Sequence, residues 1–202
     1  MTALDQVTPV RRPGRPRAEG LEERVVAATA ELLLESADGS SPTVTEIVRR
    51  SGVSRAAIYR RWQGREQLVA AALDSVRDNS PMATTGDLEA DLLSAYRPPQ
   101  GDANFDHLLR KRLVLALEDP ALQHEYWISH VSRRRLGMAE AVRKAIEVGT
   151  VRPDADVEAA IDLVAGVYYY QLVVRGASLH DAEVRERVHA SIRIACRGLA
   201  AG

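Results

Sequence analysis

The chain has 202 residues, 46% of them apolar, with 27 basic against 28 acidic side chains and a formal net charge of -1. That is enough apolar material for one ordinary domain or two small ones, and a charge so close to neutral argues neither for nor against nucleic acid. A single cysteine, Cys196, excludes an intrachain disulfide, and no N-terminal apolar run resembles a signal peptide or a membrane span, so a reducing, cytoplasmic setting is expected.

The charge is unevenly placed. Residues 9–17 carry four arginines and no acid, in a polar, proline-containing stretch without helical period, so 1–17 reads as a disordered basic arm. Its Gly14-Arg15-Pro16-Arg17 core suits a narrow A·T minor groove, where proline keeps the chain extended and Arg15 and Arg17 enter the negative groove. From about Glu19 to Ser36, Leu21, Val25, Ala28, Leu32 and Leu33 recur at helical spacing. After the loop Asp38 to Pro42 comes TVTEIVRRSGVSRAAIYRRW, residues 43–62. Thr43 and Glu46 make a T-x-x-E capping box that starts a short helix. Gly52 ends it, and Ser54 is the N-cap of a second helix that should run on to Trp62. Ile47, Val53, Ile58 and Trp62 point inward, while Arg55, Ala56, Tyr59, Arg60 and Gln63 share an outer face. Between Pro42 and Arg65 stand six arginines against one acid, Glu46, a local charge of +5. A helical hairpin with such a face suits a major groove: arginine reaches guanine edges, alanine a thymine methyl and tyrosine a phosphate. A solvated hairpin with ordinary surface arginines is the alternative.

Residues from about Arg15 to Leu73 resemble the TetR family of transcriptional regulators, whose pattern T-v-x-x-I-a-x-x-a-G-V-S-x-x-x-l-Y-x-x-F/W is followed by a basic residue, an acid and a leucine, here Arg65, Glu66 and Leu68. Val48 and Ser51 replace the usual alanines, Arg65 the usual lysine, and Ser40 stands where an aromatic commonly follows Gly39. The candidate DNA contacts are Arg15 and Arg17 of the arm with Thr43, Thr45, Ser54, Arg55, Ala56, Ala57, Tyr59, Arg60, Arg61 and Arg65. The last of these opens a fourth helix, Arg65 to Asn79, whose first turn should hold a phosphate.

Asn79 to Gly86 reads as the boundary between a head at 18–80 and a helical regulatory and dimerisation domain at 81–202. Helices are expected near 87–97, 104–118, 120–148, 155–175 and 181–199, giving an all-α chain of about nine helices in which Pro120 either separates two helices or kinks one. The stretch 155–175 carries two apolar stripes, one through Val157, Ile161, Val164, Tyr168 and Leu172, the other through Ala160, Leu163, Val167, Tyr170 and Val174. Two stripes imply burial on two sides. The expected dimer seam is Ile161, Val164, Val167 and Tyr168 with Val188, Ile192 and Ala195 of the last helix; coverage of both stripes within one chain is the alternative.

No zinc, P-loop, dinucleotide or nucleophile-elbow pattern is present, and His124 and His130, six apart, do not share a helix face, so neither enzyme nor metal nor cofactor is expected. Cys196 reads as an inert thiol. The runs Arg110-Lys111-Arg112 and Arg133-Arg134-Arg135 read as solvated or ion-paired faces, with neutralisation of an acidic ligand as the less favoured alternative. The family resemblance implies a small-molecule effector in the second domain; candidate wall residues are Phe105, Leu109, Leu113, Leu117, Trp127, Val131, Met138 and Tyr169, each of which also reads as plain core. The expected protein is a homodimeric regulator of double-stranded DNA, a repressor released from a palindromic operator by a small molecule. The alternatives are a constitutive or activating regulator without an inducer and, more remotely, a helical adaptor or enzyme.

Overall fold

Apolar spacing of three and four becomes helix along the whole chain. The computed structural model describes residues 20–36, 40–77, 79–96 and 104–201; the arm with Arg15 and Arg17 lies outside them. Four short helices come first: α1 (Leu21–Glu35), α2 (Val44–Ser51), α3 (Arg55–Tyr59) and α4 (Arg65–Asp74). Then follow α5 (Leu88–Ala95), α6 (Phe105–Glu118), α7 (Pro120–Tyr126), α8 (Ser132–Glu147), α9 (Val157–Tyr169) and α10 (Ala182–Leu199). Two π-helical segments, Trp127–Val131 and Tyr170–Val174, join α7 to α8 and extend α9. Among the described residues the extended pairing is a single bridge between Val151 and Ala200. The fold is all-α, as the sequence indicates.

The helix ends follow local chemistry. Asp119 separates α6 from α7 because its backbone is extended and its carboxylate accepts from the Leu122 amide at 3.0 Å, with Pro120 in the first turn where no amide is needed. The long helix expected over 120–148 runs without a break from Pro120 to Glu147, with a π turn at Trp127–Val131 inside it. The helix expected to reach Asn79 ends at Asp74, where the Ser75 hydroxyl donates to the Ala72 carbonyl at 2.7 Å and the chain passes into a turn. The hairpin's second helix is likewise shorter than expected, although the Trp62 amide still donates to the Ile58 carbonyl at 3.0 Å.

The head core gathers Val25, Ile47, Val53, Ala57, Ile58, Trp62 and Leu68. A second cluster, with Leu33, Val69, Ala70, Leu73, Leu108, Leu115, Leu122 and Tyr126, joins α1 and α4 to α6 and α7. Helix α4 therefore has apolar neighbours on nearly every side: Leu68, Val69, Ala70 and Ala72 are fully buried. Complete burial of each leucine or valine contributes about 1.5–3 kcal/mol, so α4 is the most heavily anchored helix of the head. A third cluster packs α5, α8, α9 and α10 around Leu92, Val142, Val164 and Ile192. A fourth joins Phe105 and Leu109 of α6 to Leu172, Leu179 and Val184.

Candidate nucleic-acid interface and the buried charges behind it

The α2–α3 hairpin is built as its residue types require. Glu46 Oε2 accepts from the Thr43 amide at 2.8 Å and the Glu46 amide donates to Thr43 Oγ1 at 3.3 Å, closing the capping box; these bonds from Thr43 hold the Glu46 carboxyl below the usual carboxylate range. Gly52 takes φ 67°, a left-handed conformation that a side chain would strain. The Ser54 hydroxyl then caps α3 by accepting from the Ala57 amide. Arg55, Ala56, Tyr59, Arg60 and Gln63 are exposed together, with Thr45 at the start of α2. Arg55 Nη2 donates to Thr45 Oγ1 at 2.7 Å, which ties the reading face of α3 to the N-terminus of α2.

Three of the six arginines do not face outward freely. Arg50 pairs with Glu31 and Glu35 of α1, and Arg61 Nε donates to Glu22 at 2.8 Å, so two cations brace α2 and α3 against α1. Arg65 bridges to Asp119 at 2.8 Å and to Glu66 at 3.1 Å. Arg49, Arg55 and Arg60 make no ion pair among the described residues, and the positive face is therefore narrower than the sequence count suggests. Two of the expected DNA contacts need correction. Ala57 is 7% exposed and packs beside Ile58 in the head core, because it sits one turn after the N-cap on the inner side of α3. Arg61 is turned away by its α1 partner. Thr43, although exposed, has its hydroxyl engaged in the cap.

Behind the head lies a group of buried charges that the sequence reading missed. Asp74, at the end of α4, is almost fully buried. Its Oδ1 accepts from Tyr126 Oη at 2.8 Å and from Arg134 Nη1 at 2.5 Å; its Oδ2 lies 3.1 Å from His130 Nδ1 and accepts from Asn79 Nδ2 at 3.3 Å. Burial alone would raise the Asp74 pKa, but the His130 hydrogen bond, the Arg134 charge and the Tyr126 hydroxyl outweigh it and hold the carboxyl far below its ordinary value. Arg134 is held protonated although burial opposes it, through the charges of Tyr126 and Asp74 and its bonds to them. The sequence signal was a lone acid at the end of the apolar run LVAAAL, with Arg134 hidden in an arginine triplet. The triplets divide by neighbour: Arg135 pairs with Glu158 and Asp162, Arg110 donates to the carbonyls of Gly176 and Ala177 beyond α9, and Lys111 Nζ donates to the Ser36 carbonyl at the end of α1. Both of the last two satisfy carbonyls at helix ends.

The expected seam and pocket are redistributed. Val164, Val188, Ile192 and Ala195 are buried inside the protomer, in the α5–α8–α9–α10 core, and Ile161, at 2% exposure, borders the small cavity within it. Val167 and Tyr168 are half-buried against the same core, and the Tyr168 hydroxyl donates to the Tyr96 carbonyl at 2.7 Å. The outward side chains are Leu163 (57% exposed), Tyr170, Val173 and Val174, and α10 adds an exposed Ile194 (68%). Periodicity establishes two stripes but not which one the chain covers itself. Residues Val157–Val174 are also apolar and long enough to cross a membrane by length and composition; the two stripes account for that apolarity, since Ile161, Val164 and Leu172 lie inside the fold.

The eight candidate wall residues do not line one pocket: four share a packed cluster and four lie elsewhere. Phe105 and Leu109 are core, with Leu113 and Tyr169 packed on that cluster; Val131 belongs to the α4 junction and Met138 to the third core. Leu117, 88% exposed, and Trp127 face outward. Met138 alone touches the cavity of about 10 Å³ between α5, α8, α9 and α10, too small for an organic molecule. Cys196 borders the same space, and burial, aided by the charges of Glu89 and Asp87, pushes its thiol up to about 11, consistent with an inert residue. Among the described residues no cluster of histidine, cysteine or carboxylate side chains could hold a metal.

Comparison with known proteins places this geometry. The family model of bacterial regulatory proteins, tetR family, matches residues 26–72, and that of the tetracyclin repressor-like C-terminal domain matches 82–190. The chain belongs to the TetR family of transcriptional regulators. It is 31% identical over 178 residues to the uncharacterised HTH-type transcriptional regulator YdeS of Bacillus subtilis (strain 168), covering 87% of this chain and 89% of the relative. The uncharacterised HTH-type regulator Rv1556 of Mycobacterium tuberculosis is 24% identical over 165 residues, 81% of this chain and 82% of its own. Among solved structures, the TetR-family transcription regulator SCO0332 superposes with a TM-score of 0.64 at 27% identity, covering 90% of this chain and 99% of that one. The α2–α3 hairpin and the first turns of α4 lie within the stretch matched by the tetR-family model, and α4 packs behind the hairpin.

Proposed function

We propose that this TetR-family protein is a cytoplasmic homodimer that represses transcription from a palindromic operator and is released by a small molecule. In this reading 1–17 is a minor-groove arm, 18–80 the DNA-binding head and 81–202 the regulatory and dimerisation domain. The observation that carries it is the position of α4, whose first turn sits behind the reading hairpin and whose last residue, Asp74, is held by Tyr126, His130 and Arg134 of the second half. A change in those contacts moves the head. Two recognition helices must lie about 34–36 Å apart to enter successive major grooves, so a small tilt of each α4 is enough to lose one of the two half-sites.

The dimer seam in this reading is the outward side of α9, Leu163, Tyr170, Val173 and Val174, with exposed Ile194 of α10, since large exposed apolar side chains mark an association surface. Arg55, Tyr59 and Arg60 are the reading residues. The test is a mobility-shift titration with the promoter next to this gene, carrying any inverted repeat, against random duplex at several salt concentrations. Specific retention of the promoter, with affinity falling steeply as salt rises, is expected. Equal binding to both duplexes would remove the operator reading. Arg60→Ala should cost about 1–3 kcal/mol on the operator and much less on random DNA.

A further inference from the structure

Of the arginines in the second half, Arg112 is the one whose charge nothing near it explains. It is 8% exposed, on the inner side of α6, and forms no ion pair among the described residues. Its Nη1 donates to the Tyr169 hydroxyl at 2.7 Å, its guanidinium lies 4.3 Å from the centre of the Tyr126 ring and 5.6 Å from that of Tyr169, and its buried Nε has no hydrogen-bond partner. A phenol and two ring faces are weak compensation for a cation removed from water. Nearby Arg77, one turn beyond α4, lies 5.8 Å from the centre of the Phe105 ring and also forms no ion pair among the described residues. Asp74, which accepts from the same Tyr126 whose ring faces Arg112, already serves Arg134 and His130.

The surroundings also have a way to open. Tyr126 and Tyr169, the two side chains around Arg112, each immediately precede a π-helical segment, Trp127–Val131 and Tyr170–Val174. A π turn holds one residue more than an α turn, is held less well, and often marks a functional site. Relaxation of either segment to α-helix would shift the register of its helix by one residue and move the tyrosine that precedes it. Phe105 and Leu109, with Leu113 packed on them, form the apolar core against which Tyr169 lies, and a ligand body entering beside Tyr169 would rest on these side chains.

The geometry points to Arg112 as the anchor for a small organic carboxylate with an apolar body, which takes the unpartnered Nε proton together with the Nη2 proton on the same edge of the guanidinium and leaves Nη1 on the Tyr169 hydroxyl. This rests on the reading of the protein as effector-responsive and names the chemical class of the effector. A planar guanidinium matches a carboxylate bidentately, whereas a neutral ligand would leave the charge uncompensated. Bound there, the anion touches Tyr126, which also donates to Asp74, so it bears directly on the contact that holds the end of α4.

The test uses the full-length protein and four probes, benzoate and octanoate with their neutral amides benzamide and octanamide, in thermal denaturation and in the promoter shift assay. Millimolar carboxylate should raise the thermal midpoint by about 2–4 °C, a normal linkage effect for a chain of this size, while the amides leave it unchanged. Arg112→Met should abolish that shift and, because it removes a poorly compensated charge while keeping the stem, should not lower the midpoint of the ligand-free protein. A fall of several degrees in ligand-free Arg112→Met would make Arg112 a structural cation and overturn the proposal. So would equal shifts with acid and amide, or no shift with either carboxylate. Stabilisation by carboxylate with no release of promoter would leave the anion site standing and overturn the effector reading instead.

Discussion

The two ends of α4 carry the same chemistry in different surroundings. At the first turn Arg65 meets Asp119 with a third and a quarter of their side-chain surfaces in water. At the last turn Arg134 meets Asp74, whose side chain is 4% exposed and is surrounded by Tyr126, His130 and Asn79. In water such a pair is worth about 0–1 kcal/mol, because solvent and salt compete for both partners. In the interior the pair has little net value, but losing one member leaves an uncompensated charge. So the first turn of α4 is held loosely by charge and the last turn tightly. One helix is thus anchored by burial at one end while keeping a solvent-accessible, adjustable contact at the other.

The sharpest way to break this contrast is Asp74→Ala. It should destabilise the protein by about 3–5 kcal/mol in urea unfolding, since Arg134 is left buried without its anion; a loss below about 1 kcal/mol, the surface range, would mean that the site is wet. Asp74 also sets a pH dependence. Its folded pKa is depressed below the ordinary aspartate value, so its stabilisation is complete above about pH 4 and is lost as the pH falls further, toward the folded pKa. Wild type should therefore lose stability on acidification through this window more steeply than Asp74→Asn, and parallel acid curves would refute the assignment.

The stripes of α9 offer a contrast of the same kind. Ile161→Glu should prevent folding, since it buries a charge beside the small cavity in the α5–α8–α9–α10 core. Leu163→Glu should leave a folded chain that sediments as a monomer. A folded Ile161→Glu variant, or an unchanged Leu163→Glu dimer, would reverse the assignment of the two stripes.

The smallest expected effect is at Arg65. Asp119→Asn keeps the cap of α7, since asparagine caps as well as aspartate, but removes the charge that draws Arg65 away. Stability should change by no more than about 1 kcal/mol, while Arg65 becomes available to phosphate and the dependence of DNA affinity on salt steepens by about one unit. An unchanged salt slope would mean that Arg65 reaches the backbone regardless of Asp119.

Local rules decided much of this protein from its sequence. The capping box at Thr43, the glycine at position 52, the N-cap at Ser54 and the spacing of Ile47, Val53, Ile58 and Trp62 are contacts within a few residues, and they read correctly because the interactions are local. The outer face of α3 followed from the same periodicity. What misled the reading was distance along the chain. Ala57 was read outward because the position of α1 relative to α3 is not written in the hairpin, and Arg61 because its partner Glu22 lies 39 residues away.

The sequence by itself determined that the chain is helical, that its arginines concentrate around one hairpin, and that α9 has two apolar faces. Periodicity and charge are properties of residues and survive without a fold. Only the tertiary structure decided that Ile161 and Val164 face the protomer's own core while Leu163 and Val174 face out, that Asp74 is enclosed by side chains from 52 to 60 residues further along the chain, and that Arg112 is buried without an ion pair among the described residues. The reason is physical: a helix pattern fixes the angle between two faces about one axis, whereas which face meets which neighbour depends on how several helices share a common interior, and that is settled by packing among residues far apart in the chain.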